Sequence, residues 1–352
     1  MNGYNKTYLI GAGFSRSFSN DYPLSCDFFE KMREKKVGGK SFIHLNPSLE
    51  DVDRFLERFF PFEPDLEEVL SFLTQKYFPQ DFRQHWQHRD DVYQELLWNI
   101  PNFLSHAKPR SPEVSELLAR FCNLLVSEMA NIVTFNYDCL LDQGLLSHGK
   151  WNPSSGYGFP MRHMINALSF QGASKEIEVS KVSLLKLHGS INWGTAALEG
   201  ADSQAEIFYS PPNNSDNQNI GHIGVSSQTT ESMPLSLSFT PFIIPPILDK
   251  TGYYDNKFLR RLWFLAHECL TFSEEIVIIG YSFPETDYFA RFLIREAFAA
   301  HLAQLMHNKR KVTIVNLRCD DALMKRARQI FAGAKIDFIE KDAFGYIADV
   351  LG

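Results

Sequence analysis

The sequence predicts an α/β fold, a doubly wound and mostly parallel six-stranded sheet with a helical insertion after the first strand. Three observations carry this. Six short apolar runs, each bounded by turn or cap residues, read as buried strands. In the carboxyl-terminal third they alternate with helix-periodic stretches. A long strand-poor segment, punctuated by Pro61, Pro64, Pro79, Pro109 and Pro112, separates the first run from the second. The 352 residues include 44% hydrophobics, 22% charged residues and 30 Phe, so a large core is available and a disordered or collagen-like chain is excluded. The 35 Lys+Arg against 42 Asp+Glu leave a net charge of −7, the wrong sign for a nucleic-acid binder driven by phosphate contacts.

The strands are expected at residues 7–10, 131–135, 184–187, 275–279, 312–317 and 335–339. Near-continuous Val, Ile and Leu, rather than alternation, points to a parallel sheet covered on both faces. Helices at 256–272, 286–302 and 320–331 supply the crossovers, which makes the sheet Rossmann-like. Helical spacing also marks 26–35, 49–60, 65–77, 81–106 and 112–129; in the third of these, Leu66, Val69, Leu70 and Leu73 form one stripe. Segment 151–240 reads as irregular, and its stretch 213–232, rich in Asn, Ser, Thr and Gly, as a mobile loop or lid.

No apolar run approaches the ~18 residues of a membrane-spanning helix, and the amino-terminal apolar stretch is too short for a signal-peptide core. Cys26, Cys122, Cys139, Cys269 and Cys319 are scattered, with neither zinc-ligand nor disulfide spacing. A cytoplasmic protein without a metal is expected. His85 and His88 sit three apart in a helix but lack a third ligand. The stretch 55–62 is core or a subunit interface, and Arg89-Asp90-Asp91 a solvated helix face.

Residues suited to chemistry gather at strand ends. The first run closes on Gly11-Ala12-Gly13-Phe14-Ser15. Glycines there let backbone N–H groups approach a phosphate at a helix start, although a tight turn explains them equally well. The full dinucleotide fingerprint fails, because Arg16 stands where its third glycine belongs. The second run continues into Thr134-Phe135-Asn136-Tyr137-Asp138. Its Asn and Asp either cap the next helix or project from the carboxyl edge where open α/β sheets bind ligands. The third ends in Leu187-His188-Gly189-Ser190, whose histidine is either a structural hydrogen-bonder or a proton acceptor near neutrality. The fourth ends in Ile279-Gly280-Tyr281-Ser282-Phe283, followed by Pro284 and Asp287; it is a phosphate or ribose contact, or a helix start capped by Ser282 or Thr286.

These four segments, in this order, resemble the sirtuin-like (silent information regulator) family, and within it the bacterial branch found in antiphage defence systems. Segments 241–250 and 65–73 also fit that branch, and the resemblance runs over about residues 7–340. It implies one NAD-binding domain over 1–352, with a helical insertion at 20–130 and an irregular loop region at 195–240. Deacylases of this family carry two Cys-x-x-Cys pairs around a structural zinc. This chain has neither, so the resemblance implies an NAD+ hydrolase releasing nicotinamide and ADP-ribose, the toxic effector of a defence system. An NAD-dependent deacylase or ADP-ribosyltransferase, and a non-catalytic NAD or ADP-ribose sensor, are the alternatives.

By the same resemblance His188 is the general base, Asn136 orients the ribose and water, and Asp138 fixes the ribose or stabilises positive charge. Gly11, Ala12, Gly13, Phe14 and Ser15, with Arg16, hold the pyrophosphate. Gly280, Tyr281 and Ser282 contact phosphate or the adenosine ribose, and Asn316 the adenosine side. Restraint of a toxic activity implies a homo-oligomer or a separate partner, such as a HerA-type ATPase, with neither nucleic acid nor membrane bound directly.

Overall fold

The computed structural model describes residues 6–60, 62, 64–75, 83–147, 149, 151–163, 180–197, 206–210, 238–304 and 310–352. Strand β1 (Lys6–Ile10) lies at the centre of a six-stranded sheet. The others are β4 (Asn131–Thr134), β6 (Ser183–Lys186), β10 (Glu275–Ile279), β11 (Lys311–Asn316) and β12 (Lys335–Glu340). The spatial order is β12-β11-β10-β1-β4-β6, and every neighbouring pair is parallel. The expected strands are therefore present, each within one residue at either end. In order of appearance the six strands lie 3-2-1-4-5-6, the doubly wound Rossmann arrangement, with its reversal between β1 and β10.

Helices cover both faces. They include α1 (Ala12–Phe18), α7 (Pro112–Ser127), α10 (Lys257–Phe272), α11 (Tyr288–Gln304), α12 (Asp321–Ile330) and α13 (Ala343–Leu351). Both sides of β10 are buried, which is why its sequence, EIVII, shows no alternation. Phe14 of α1 is fully buried, its ring 5.0 Å from that of Phe18 and 5.9 Å from that of Phe121 on α7.

Between β1 and β4 the chain also forms α2 (Phe28–Glu34), a short hairpin of β2 (Lys36–Val37) and β3 (Lys40–Ser41), and α3 (Phe42–Leu45). Then come α4 (Leu49–Phe59), α5 (Leu66–Thr74) and α6 (Arg83–Ser105). These helices bury a core of their own around Phe28, Phe42, Phe55, Leu70, Leu96 and Phe103. Phe55 and Phe60 belong to it, whereas Phe62 is 88% exposed. Arg89 is not on a solvated face: it is buried, lies over the Phe72 ring and donates to the Phe72 carbonyl, while Asp90 and Asp91 face solvent.

Segment 151–240 holds more order than its composition suggests. After a short helix, α9 (Pro153–Gly156), strands β5 (Arg162–His163), β7 (Gly189–Ala197), β8 (Glu206–Tyr209) and β9 (Ser238–Ile243) form a second sheet, ordered β5-β8-β7-β9. Gly189 and Gly194 bracket a register irregularity in the β7–β9 pairing, which breaks the apolar alternation that would signal a strand. The stretch 213–232 lies outside the described residues, as do the side chains of His85 and His88. Among the described residues no helix is long and apolar enough to cross a membrane.

A buried ion pair ties the two sheets together. Lys186, at the end of β6, donates to Asp142 of α8 (Leu140–Leu146) at 3.0 Å, both side chains 1% exposed. Tyr157 donates to the other Asp142 oxygen, and Asn192 of β7 donates to the Tyr157 hydroxyl at 3.2 Å. Removing one member leaves an uncompensated buried charge, so Lys186→Met is expected to destabilise the chain by about 3–5 kcal/mol. Lys186→Met/Asp142→Leu is expected to recover most of that loss. Urea unfolding of both variants checks the expectation, and a double variant no more stable than the single one contradicts it.

Candidate functional site

The strand order reverses between β1 and β10, and the loops leaving these two strands interlock. Gly11 N–H donates to the Ile279 carbonyl and Gly13 N–H to the Gly280 carbonyl, both at 3.0 Å. A Cβ on Gly11 would lie 2.5 Å from the Gly280 oxygen; one on Gly280 would lie 2.2 Å from the Phe14 nitrogen. Gly280 also has φ +66°, in the left-handed region. The glycines are thus required by the approach of backbone to backbone, a reason independent of any ligand. Phe14 turns its ring into the core, so only its backbone lies along this loop. Arg16 bridges to Asp27 at 2.7 Å and donates to the carbonyls of Asn20 and Tyr22. Its guanidinium anchors the loop after α1.

Next to this interlock, Ser15 joins the two polar residues that follow β4. Its buried hydroxyl donates to Asp138 Oδ2 at 2.8 Å and accepts from Asn136 Nδ2 at 3.1 Å. The Asn136 amide also donates to the Gly11 carbonyl at 3.0 Å, which fixes its rotamer against the β1 loop. Asp138 Oδ1 accepts the Leu140 N–H at 3.0 Å, so Asp138 does act at the start of α8. Burial pushes the Asp138 carboxyl up, against the pull of Lys186, the Leu140 amide and Ser15.

His188 follows β6, and the Ile244 N–H donates to its carbonyl at 2.8 Å. The imidazole is buried among aromatic rings: Phe135 at 5.2 Å, Tyr137 at 6.1 Å and Trp263 at 6.5 Å between centroids. It hydrogen-bonds the Phe135 backbone, while Nε2 is buried with no partner. Burial, with the Lys250 charge adding to it, lowers its pKa to about 4, opposed by Asp287 and by the Phe135 hydrogen bond. The ring is therefore neutral at physiological pH and able to accept a proton.

Beside Nε2 lies a set of charged residues from three other segments. Asp287 Oδ1 is 3.9 Å from His188 Nε2 and 3.3 Å from Lys250 Nζ, while Asp287 Oδ2 accepts from Tyr281 Oη at 3.0 Å. Lys250 is also 4.0 Å from Glu67 Oε1, and Glu67 Oε2 accepts from Thr286 Oγ1 at 2.7 Å. Burial pushes the Glu67 carboxyl up, against Thr286 and Lys250. Sequence reasoning did not single out Lys250, Asp287 or Glu67 as site residues. Each stands in a segment noted for other reasons, but a lone Lys, Asp or Glu reads as surface until the fold pairs it.

Tyr281 stacks on Phe135 at 4.9 Å and is buried. Ser282 is exposed, and its carbonyl accepts from Arg326 at 3.2 Å. Asn316 ends β11 at the same carboxyl edge. The structure thus gathers the strand ends on one edge but divides their side chains into two networks, Asn136–Ser15–Asp138 and His188–Asp287–Lys250–Glu67. Among the described residues no cluster of three or more His, Cys, Asp or Glu side chains is arranged to hold a metal ion.

No protein-family model matches the chain, and no curated protein matches it. Solved structures resemble it at low identity. A Sir2 homologue in complex with NAD is similar over 99% of this chain and 89% of its own, with 12% identity and a TM-score of 0.44. A sirtuin structure concerned with substrate affinity is similar over 99% and 93%, with 13% identity and a TM-score of 0.43. A Sir2 complex with an inhibitor, 2′-O-acetyl-ADP-ribose and a deacetylated peptide is similar over 99% and 94%, with 12% identity and a TM-score of 0.40.

The interlock makes a sharp expectation. Gly280→Ala combines a left-handed backbone with backbone atoms 2.2 Å from the new Cβ, and is expected to destabilise the chain by about 2–4 kcal/mol. Gly252→Ala, with open space around its Cβ, is expected to change stability by less than about 0.5 kcal/mol. Chemical denaturation compares the two, and equal midpoints would show that the loops do not depend on this contact.

Proposed function

We propose that the chain is an NAD+ hydrolase that cleaves the nicotinamide–ribose bond and releases nicotinamide and ADP-ribose. The observation that carries this reading is a buried, neutral imidazole with an unpartnered Nε2 at the carboxyl edge of the sheet. Crevices at the switch point of such sheets are where dinucleotides bind. The motif segments that resemble the sirtuin-like family all end at this edge.

The chemistry suits the residues. Bond cleavage leaves an oxocarbenium-like ribose, as in other glycoside hydrolyses. Nicotinamide departs from a cationic state and needs no protonating acid, so the usual pair of carboxyl groups is dispensable. What remains is orientation, stabilisation of positive charge and removal of one proton. His188 takes that proton from the ribose hydroxyl or the attacking water. Asn136, held by Gly11 and Ser15, orients the ribose, and Asp138 contributes negative potential. The Gly11–Ser15 and Gly280–Ser282 loops receive the phosphates and the adenosine ribose, with Asn316 toward the adenosine. The lack of paired Cys-x-x-Cys motifs favours hydrolysis over deacylation. Depletion of a cell's NAD suits the effector of an antiphage system, kept quiet by self-association or by a partner such as a HerA-type ATPase.

Purified protein incubated with NAD is expected to release nicotinamide, followed by chromatography, at a rate independent of added acyl-peptide. Asn136→Ala and His188→Ala are each expected to lower that rate by about two to four orders of magnitude while circular dichroism stays unchanged. Folded variants that match the wild-type rate sink the assignment, and release that requires acyl-peptide makes the chain a deacylase.

A further inference from the structure

The charged cluster beside His188 has a task that its stability does not explain. Asp287, Lys250 and Glu67 come from three separate segments, and Asp287 and Lys250 are buried. With both carboxylates ionised, two negative charges face one ammonium. Such a cluster is unfavourable to bury unless something else supplies the missing positive charge. Arg291 acts on the cluster through Tyr281, and the group that adjoins Asp287 directly and could gain a charge is His188, whose Nε2 is unpartnered and 3.9 Å from Asp287 Oδ1, beyond hydrogen-bond reach. Asp287 Oδ2 is fixed by Tyr281, and Oδ1 is shared with Lys250 at 3.3 Å.

We propose that Asp287 is the counter-ion that His188 acquires when it takes up a proton, and that Lys250, balanced by Glu67, holds this counter-ion off the ring in the resting protein. A proton leaves the ribose hydroxyl or water and the Nε2 lone pair takes it. The new N–H then donates to Asp287 Oδ1 after an approach of about 1 Å. The carboxylate stays ionised throughout, and the positive charge gained by the imidazole brings the cluster to neutrality. Asp287 is thus a positioning residue that acts through His188. The inference rests on His188 being the proton acceptor of the proposed reaction.

The groups facing the ring are known on each side. Lys250 and Asp287 are the charges near it, and Glu67 acts through Lys250. Tyr137, Tyr281 and Tyr254 are held neutral, because burial pushes their hydroxyls up. Two substitutions should therefore move the His188 titration in opposite directions. Asp287→Asn removes the attraction and lowers its midpoint; Lys250→Met removes the repulsion and raises it, each by about one pH unit.

Histidine NMR titrations of the full chain read this directly, with His188→Gln identifying the signal. The same displacements are expected in the acid limb of the kcat profile, with Asp287→Asn lowering kcat about ten-fold and leaving KM nearly unchanged. Should Lys250→Met not fold, Lys250→Met/Glu67→Gln removes the ammonium together with the carboxylate that balances it, and the upward shift is still expected. Midpoints that move the same way, or do not move in folded variants, overturn the proposal. Opposite shifts in a protein that releases no nicotinamide would keep the coupling and reject the hydrolase reading.

Discussion

Everything at the candidate site depends on how closely two backbones approach at the sheet's reversal. Gly11 and Gly13 leave β1, Gly280 leaves β10, and a side chain on any of them would meet main-chain atoms of the other loop. With no room for a Cβ, the loops are held at one spacing by main-chain hydrogen bonds. That spacing sets where α1 begins, hence where Ser15 points, hence where Asn136 is held. The polar network is thereby placed by a sheet in which five parallel strands are buried on both faces.

The second network is positioned from further away. Lys250 follows the small sheet, Glu67 lies on α5, and Asp287 precedes α11. The core of the intervening helices reaches the site through Ile191 and Ile247, so their packing carries Glu67 to Lys250. The His188 ring is buried among aromatic rings, and in such a medium a charge is felt more strongly than in water. The helices between β1 and β4 therefore contribute electrostatics to the edge of the sheet as well as bulk beside it.

The main sheet was legible because its strands are buried on both faces and so are written as unbroken apolar runs. Helices with one apolar stripe were legible for a similar reason, α5 with Leu66, Val69, Leu70 and Leu73 being an example. The small sheet was not. Its longest strand contains Gly189 and Gly194, and one of its two partners, β9, is distant, Thr195 pairing with Thr240. The terminal helix Ala343–Leu351 also escaped notice, although Asp342 caps it and Ala343 and Ile347 are buried. Of the site, the strand-end residues were visible as types in places. Their partners were not, because a pairing such as Lys250 with Asp287 is a property of tertiary structure. The three local acceptors of Arg16 were likewise not legible in the sequence.

The central strand β1 pairs with β10, so the sheet's middle joins distant parts of the chain; Thr7 and Ser273 share a hydrogen bond across 266 positions. Contacts of such long range form late and slowly, since a large loop must close before any pairing rewards it. On a ribosome, β1 emerges long before β10 and waits with that edge bare. Throughout that interval a flat, apolar strand is open to mispairing. It also follows that the interlock at the switch point comes into being only after β10 is made, so no nascent chain that stops before β10 possesses it.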